Sequence, residues 1–143
     1  MRIDLLRHGA CSGGSIFRGQ IDVPLTDEGW AQMTRGLEEL AGSWDRIVTS
    51  PLGRCQAFAA QLGFDKKLPV RSSSGIREIG FGEWEGQSVD KIWTEQQALC
   101  DAWSREPDKY SPQVANLLQL LSPGYYRLLA SWLFATRENP CYW

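Results

Sequence analysis

Short apolar segments alternate with helical segments from Met1 to about residue 110, and this order constrains the fold more than any other feature. Residues 1–6 and 45–49 are predicted strands, because each is a short apolar run followed by turn or helix-start residues. A shorter extended piece is predicted at 68–70. Strands that alternate with helices favour an α/β layered domain with a mainly parallel sheet.

Capping residues indicate where the predicted helices begin. Thr26 is a good N-cap, and the helix that follows it is predicted to end at Gly42. Ser50 and the proline after it predict a second helix, running to about Leu62. A third helix is predicted to begin at Ser88. Its apolar face consists of Val89, Ile92, Trp93, Leu99 and Trp103.

The 143-residue chain has a net charge of −2 and a hydrophobic fraction of 43%, which are ordinary values for one soluble globular domain. Because there is no excess of basic residues, we expect neither nucleic acid nor an anionic membrane as a partner. The N-terminal residues lack the pattern of a signal peptide, so we expect a cytoplasmic protein. Pro123 and Arg127 interrupt the apolar stretch 117–135, which argues against a transmembrane helix.

The chain contains one histidine, His8, and four cysteines, none of which forms a Cys-x-x-Cys pair. One imidazole and cysteines at these spacings do not make a zinc site, so we expect no metal and no cofactor. The four cysteines are predicted to be free thiols. Cys11 stands apart because it follows the Arg-His-Gly turn, but there is no second histidine to act as its base.

The histidine and two arginines are predicted to lie at the carboxyl ends of the two strands. Arg7, His8 and Gly9 follow the first strand, and Arg54 lies at the start of the helix that follows the second. Ligands of parallel α/β sheets bind at this edge, where helix N-termini favour anions. An arginine in the first turn opposes the helix dipole, so a bound phosphate explains Arg54 better than local structure does. Gly9 is expected to let the backbone turn tightly and a ligand approach.

Each of these residues also has an ordinary structural explanation. An arginine taken alone is more often a surface charge, and a histidine taken alone is more often a structural residue. The joint placement of Arg7, His8 and Arg54 at two strand ends is what favours a phosphate site.

A glycine- and aromatic-rich loop over residues 77–86 contains three glutamates, Glu78, Glu83 and Glu85. A carboxylate in such a loop could protonate a leaving alcohol as a general acid. The alternative is a solvated acidic loop. The pattern alone does not choose among the three glutamates.

Together these segments resemble the histidine phosphatase superfamily, also called the phosphoglycerate mutase-like family. The matching pieces are Leu-Leu-Arg-His-Gly at 5–9, Phe-Arg-Gly at 17–19 with Pro-Leu-Thr at 24–26, Ser-Pro-Leu-Gly-Arg-Cys at 50–55, and Arg-Glu-Ile-Gly-Phe-Gly-Glu-Trp-Glu-Gly at 77–86. The resemblance covers residues 1–112 and implies the three-layer α/β/α phosphoglycerate mutase-like fold. The Phe-Arg-Gly piece and the last loop are most similar to those of α-ribazole-5′-phosphate phosphatases, which act late in cobalamin nucleotide-loop assembly.

The resemblance implies hydrolysis of a small phosphate ester through a phosphohistidine, with no metal. His8 is then the nucleophile that attacks phosphorus. Arg7 and Arg54 hold the phosphoryl oxygens beside Gly9 and offset the developing charge. Glu78, at the family's acid position, protonates the leaving alcohol and later activates water.

The sequence departs from the family pattern in two ways. Ala10 and Cys11 stand where the family usually has a polar or acidic residue after Arg-His-Gly. The family's second histidine, in a Thr-His-Gly-like turn after a later strand, is absent from this sequence. Loss of one such donor typically costs about 10²–10³ in rate. We therefore expect any phosphatase activity to be impaired.

Composition changes near Ser111 and Pro112, after which charged residues become rare and aromatic residues become frequent. We predict that residues 1–112 form the N-terminal portion of a histidine phosphatase domain, with the fold incomplete at the C-terminus. Residues 113–143 are predicted to be a non-homologous tail, as an out-of-frame sequence would be.

Three functions remain open from the sequence. The first is phosphomonoester hydrolysis, and the second is phosphate binding without catalysis. The third is a mutase or a broad-specificity small-molecule phosphatase, although mutases generally carry longer insertions around the site than this chain can hold. A homodimer is also left open.

Overall fold

The computed structural model describes residues 2–40, 42–107 and 109–110. They form two compact units. The first consists of Met1–Gly14 and Asp22–Arg77, and the second consists of Ser15–Ile21 and the described residues from Glu78 onward. The short segment Ser15–Ile21 thus belongs with sequence that follows it much later in the chain.

The first unit contains two helices and two paired strands. In chain order these are α1 (Asp27–Glu38), β1 (Ile47–Thr49), α2 (Gly53–Lys66) and β2 (Val70–Ser72), followed by a 3₁₀ turn at Ser74–Ile76. The two strands run in parallel, with Ile47 opposite Val70 and Thr49 opposite Ser72. The predicted parallel pairing is therefore confirmed for these two strands.

Each helix of the first unit buries part of its surface. Met33 of α1 and Ala59 of α2 are buried, and the rings of Trp30 in α1 and Phe58 in α2 lie 5.2 Å apart. Thr26 caps α1 as predicted, since its hydroxyl accepts the N–H of Gly29 at 3.0 Å. The helix ends at Glu38, earlier than the predicted end at Gly42.

The start of α2 differs from the prediction. The helix begins at Gly53, and its N-cap residue is Leu52, whose side chain has no acceptor. The carboxylate of Asp22 supplies one instead, accepting the N–H of Gly53 at 2.8 Å. Ser50 is buried, and its hydroxyl makes a longer bond of 3.4 Å to the N–H of Leu52. The local pattern identified the wrong cap because the residue that caps the helix is 31 positions away.

The strand predicted over residues 1–6 is wrong for residues 2–6, which have no regular secondary structure. The side chains of Ile3 and Leu5 are 68% and 66% exposed. An apolar run becomes a strand only when another strand takes its backbone hydrogen bonds. In the described part of the chain, the only paired strands are β1 and β2.

Side-chain contacts anchor the segment 2–6 within the first unit. The carboxylate of Asp4 accepts the indole N–H of Trp44 at 2.7 Å and a guanidinium N–H of Arg2 at 3.0 Å. These two bonds, that of Trp44 first, lower the pKa of Asp4. Their contribution to stability is therefore present at neutral pH and is lost as the pH falls through the lowered pKa.

The second unit is built around an aromatic cluster. It contains a 3₁₀ turn at Gly82–Trp84 and two helices, α3 (Val89–Glu95) and α4 (Gln97–Arg105). Trp84, Ile92 and Cys100 are almost fully buried. Phe17 and Trp103 pack against the Trp84 ring with centroids 5.0 and 5.8 Å away. Burial also raises the pKa of the Cys100 thiol.

The helix predicted from Ser88 is divided into two at Gln96. Ser88 caps α3 as predicted, accepting the N–H of Lys91 at 3.5 Å. Gln96 has φ −129°, and its side-chain oxygen accepts the indole N–H of Trp84 at 2.9 Å. A buried indole N–H requires an acceptor, and this contact favours the break. The spacing of the apolar residues continues across Gln96, so the sequence pattern did not indicate this break.

None of the helices in residues 2–40, 42–107 and 109–110 is long and apolar enough to cross a membrane. Within the same residues, no three His, Cys, Asp or Glu side chains are grouped as metal ligands. The apolar stretch 117–135 and the predicted tail 113–143 lie outside the described residues.

Candidate active site

His8 lies in an irregular segment of the first unit, where a backbone contact indicates its tautomer. Its Nδ1 is 2.9 Å from the carbonyl oxygen of Gly9. A carbonyl oxygen only accepts hydrogen bonds, so we assign the proton to Nδ1. In the neutral imidazole, Nε2 then holds the lone pair. This is the protonation state that attack on phosphorus through Nε2 requires.

Ala10 anchors this segment to the beginning of α1. Its N–H donates to the side-chain oxygen of Gln32 at 2.8 Å. Its carbonyl oxygen accepts the backbone N–H of Thr26 at 3.0 Å and the Thr26 hydroxyl at 3.2 Å. Gln32 and Thr26 thus hold the residues next to His8. The sequence pattern indicated Thr26 only as a helix cap and gave no sign of the role of Gln32.

Gly9 is required by close packing against α1. A Cβ at Gly9 would lie 2.6 Å from the Cα of Gly29, closer than real Cβ contacts occur. The glycines with positive φ in the described residues do not include Gly9, so its close packing, and not a left-handed backbone, accounts for the glycine. Gly29 is constrained in the same way, because its Cβ would lie 2.9 Å from the carbonyl carbon of Ala10.

We expect Gly9→Ala to lower the free energy of unfolding by about 1–3 kcal/mol, as overpacking usually does. The segment that holds His8 would also shift, so activity should fall. The matched control is Gly75→Ala, where a Cβ would meet only the Ser73 hydroxyl, at an ordinary 3.6 Å. Urea unfolding of both variants measures the difference. Equal stabilities would contradict the packing role of Gly9.

The two arginines have different surroundings. Arg54, the second residue of α2, is 1% exposed, whereas Arg7 is exposed. A guanidinium removed from water must be compensated by polar or anionic groups. Arg54 is therefore not a surface charge, and the alternative explanation of this residue is excluded. For Arg7, both explanations remain.

Hydrogen bonding distinguishes the three glutamates of the 77–86 loop, which all lie in the second unit. One carboxylate oxygen of Glu85 accepts the backbone N–H groups of Gln20 and Phe81, each at 3.0 Å. Glu85 thus connects the Ser15–Ile21 segment to this loop. Glu83 is exposed, and a carboxylate oxygen of Glu78 accepts the N–H of the following residue at 3.0 Å.

The two units divide the predicted site residues between them. Arg7, His8, Gly9 and Arg54 all belong to the first unit, and Glu78 belongs to the second. The structure thus groups the predicted nucleophile with the predicted phosphate-binding residues in one compact body.

Residues 3–121 match the profile of the histidine phosphatase superfamily, branch 1. The chain belongs to the histidine phosphatase superfamily. The resemblance carried by the four sequence segments is thereby confirmed. The division predicted between residues 112 and 113 stays a prediction.

Histidine phosphatases of known activity are similar to most of the chain. The adenosylcobalamin/α-ribazole phosphatase of Escherichia coli K12 is 29% identical over 133 residues, which cover 91% of this chain and 66% of that protein. The glucosyl-3-phosphoglycerate phosphatase of Mycolicibacterium vanbaalenii is 32% identical over 114 residues, covering 78% and 50%. The chain thus spans between half and two thirds of the length of these relatives.

Solved histidine phosphatase structures share the fold. The native mycobacterial glucosyl-3-phosphoglycerate phosphatase has a TM-score of 0.68 at 28% identity. The matched region covers 88% of this chain and 62% of that protein. The α-ribazole phosphatase of Shigella flexneri has a TM-score of 0.65 at 27% identity, covering 89% and 64%. These similarities confirm the predicted phosphoglycerate mutase-like α/β fold.

Proposed function

We propose that this histidine phosphatase hydrolyses small phosphate monoesters through a phosphohistidine at His8. The observation that supports this most is the 2.9 Å contact between Nδ1 of His8 and the carbonyl oxygen of Gly9, because it leaves the lone pair on Nε2. Membership of the superfamily and the phosphatase activities of the relatives support the reaction class.

The proposed reaction has two steps. In the first, Nε2 of His8 forms a bond to phosphorus while the bond from phosphorus to the ester oxygen breaks. Arg7 and Arg54 bind the phosphoryl oxygens, and Glu78 gives a proton to the leaving oxygen. In the second, Glu78 takes a proton from water, which attacks the phosphohistidine. Inorganic phosphate leaves, and His8 is restored.

Glu78 is the proposed general acid because its competitors are less suited. Glu85 already accepts two backbone N–H groups, and Glu83 is an exposed side chain. We expect Glu78→Gln to lower kcat on an alkyl phosphate by about 10²–10⁴. The loss on p-nitrophenyl phosphate should be smaller, because p-nitrophenolate leaves without a proton. Glu83→Gln is the control, and an equal loss in that variant would contradict the assignment.

We propose α-ribazole 5′-phosphate as the substrate, which would place the protein in cobalamin biosynthesis. The relative from Escherichia coli that supports this covers 91% of the chain, although at 29% identity. The test compares kcat/KM on α-ribazole 5′-phosphate, glucosyl-3-phosphoglycerate and phosphoserine. A preference of about tenfold or more for the first supports the proposal. Similar values would indicate a broad-specificity phosphatase, and phosphoryl transfer to a glycerate would indicate a mutase.

A phosphate-binding protein without catalysis is the second candidate. The observation that favours it is the single histidine of the chain, since the family resemblance implies a second one at the site. A p-nitrophenyl phosphate assay with His8→Ala as the control separates the two functions. Turnover that the substitution removes supports the enzyme. A rise in Tm with inorganic phosphate, without turnover, supports the binding protein. The cytoplasmic location and a homodimer stay predictions.

A further inference from the structure

We propose that the thiol of Cys11 is a positioning group for the His8 imidazole. It holds the ring in the Nδ1–H tautomer and in the orientation needed for attack through Nε2. This inference rests on the proposed function of His8 as the nucleophile and adds a residue that the reaction steps do not include.

Three groups converge beside the ring. The Sγ of Cys11 lies 3.6 Å from Nδ1 of His8 and 3.4 Å from the carbonyl oxygen of Gly9, to which the thiol donates. The same carbonyl oxygen accepts the Nδ1–H of His8 at 2.9 Å. A carbonyl oxygen has two lone pairs and accepts both donors. With the S–H directed to this oxygen, a sulfur lone pair faces the Nδ1–H as a weak second acceptor.

The sulfur is held in place independently of the histidine. Cys11 is 7% exposed, and its backbone pairs with Leu25 in an isolated antiparallel bridge. The next residue, Ser12, donates its N–H to the carbonyl oxygen of Pro24 at 3.0 Å. These backbone contacts with Pro24 and Leu25 fix the Cys11 backbone. The thiol is therefore held at a constant position beside Nδ1 of His8.

This arrangement bears on reactivity because the groups around an imidazole decide which tautomer is present. The Nε2–H tautomer would place the Nδ1 lone pair against the carbonyl oxygen of Gly9, which is unfavourable, and the thiol would have to give up its hydrogen bond to that oxygen in order to donate to Nδ1. When Nε2 bonds to phosphorus, the ring becomes cationic and its Nδ1–H becomes a stronger donor. The carbonyl oxygen and the polarisable sulfur then stabilise that charge.

The single histidine makes a direct test possible. Two-bond ¹H–¹⁵N NMR spectra of the imidazole nitrogens report one ring only, since His8 is the only histidine of the chain. We expect the neutral wild-type ring to carry its proton on Nδ1. In Cys11→Ala, both tautomers should be detected, and kcat on p-nitrophenyl phosphate should fall about three- to tenfold with KM nearly unchanged. Cys11→Ser, which keeps a donor and an acceptor, should restore most of both properties.

Two further variants separate positioning from packing. Cys11→Val fills the space of the side chain without the thiol and should behave like Cys11→Ala. Cys100→Ala removes a buried thiol of the second unit, whose Sγ donates to the Ile92 carbonyl oxygen at 3.8 Å. It should lower stability and leave the His8 spectrum unchanged.

The outcomes distinguish this proposal from the proposed function. A single Nδ1–H tautomer in both Cys11→Ala and Cys11→Val would overturn the positioning role. Loss of all turnover in Cys11→Ser would also overturn it, since that result would indicate a nucleophilic thiol. If the wild-type protein has no phosphatase activity, the proposed function fails, but the spectra still decide whether Cys11 selects the tautomer.

Discussion

His8→Asn will reduce phosphatase activity by about 10³ or more. The substitution removes the only imidazole of the chain, and with it the lone pair that forms the bond to phosphorus. The asparagine amide can still donate to the carbonyl oxygen of Gly9, so the hydrogen bond between the side chain at position 8 and this oxygen is kept. The loss should therefore appear in kcat without a matching loss of stability.

The measurement is a phosphate-release assay on wild type and His8→Asn, with a thermal unfolding curve for each. The Tm values should agree closely. Activity that survives the substitution would contradict the role of His8. Cys11 would then be the first nucleophile to examine, because its sulfur lies beside the same ring.

Arg54→Met will lower kcat/KM by about 10²–10³, the usual cost of removing one donor that binds developing negative charge. Arg54 is 1% exposed, so methionine, an apolar side chain of similar length, keeps most of the packing at this position. Inorganic phosphate should raise the Tm of the wild type and should not raise that of the variant.

Arg54→Lys is the matched variant, because it keeps the charge and loses the planar pair of donors. It should restore only a small part of the activity. A structural role for Arg54 predicts the opposite result, in which Arg54→Met loses stability and keeps its activity. That result would contradict the assignment of Arg54 to phosphate binding.

The sequence predicted those parts of the fold that depend on neighbouring residues. Thr26 and Ser88 were identified as helix caps because a cap contacts an N–H only two or three positions ahead. The strand over residues 1–6 and the cap of α2 depend on partners distant in the chain, which an apolar run or a Ser-Pro pair does not specify.

The site shows the same limit. Arg54 lies at a helix start, where its charge opposes the helix dipole, and this position indicated a role in binding an anion. The burial of the Arg54 side chain is consistent with such a role. The need for a glycine at position 9 could not be predicted, because it comes from close packing against Gly29 of α1, which is distant in the sequence. The choice among the glutamates required the two backbone bonds that Glu85 accepts from separate loops.

Direct detection of the phosphorylated residue tests the central claim, that His8 accepts the phosphoryl group. The protein is mixed with substrate labelled in the phosphoryl group, quenched in base and digested with trypsin, which cleaves after Arg7 and Arg18. We predict label in the peptide of residues 8–18, stable in base and released in acid, as a bond between nitrogen and phosphorus requires. Label on a peptide without His8, or substrate hydrolysis with no labelled protein at any time, would contradict the claim.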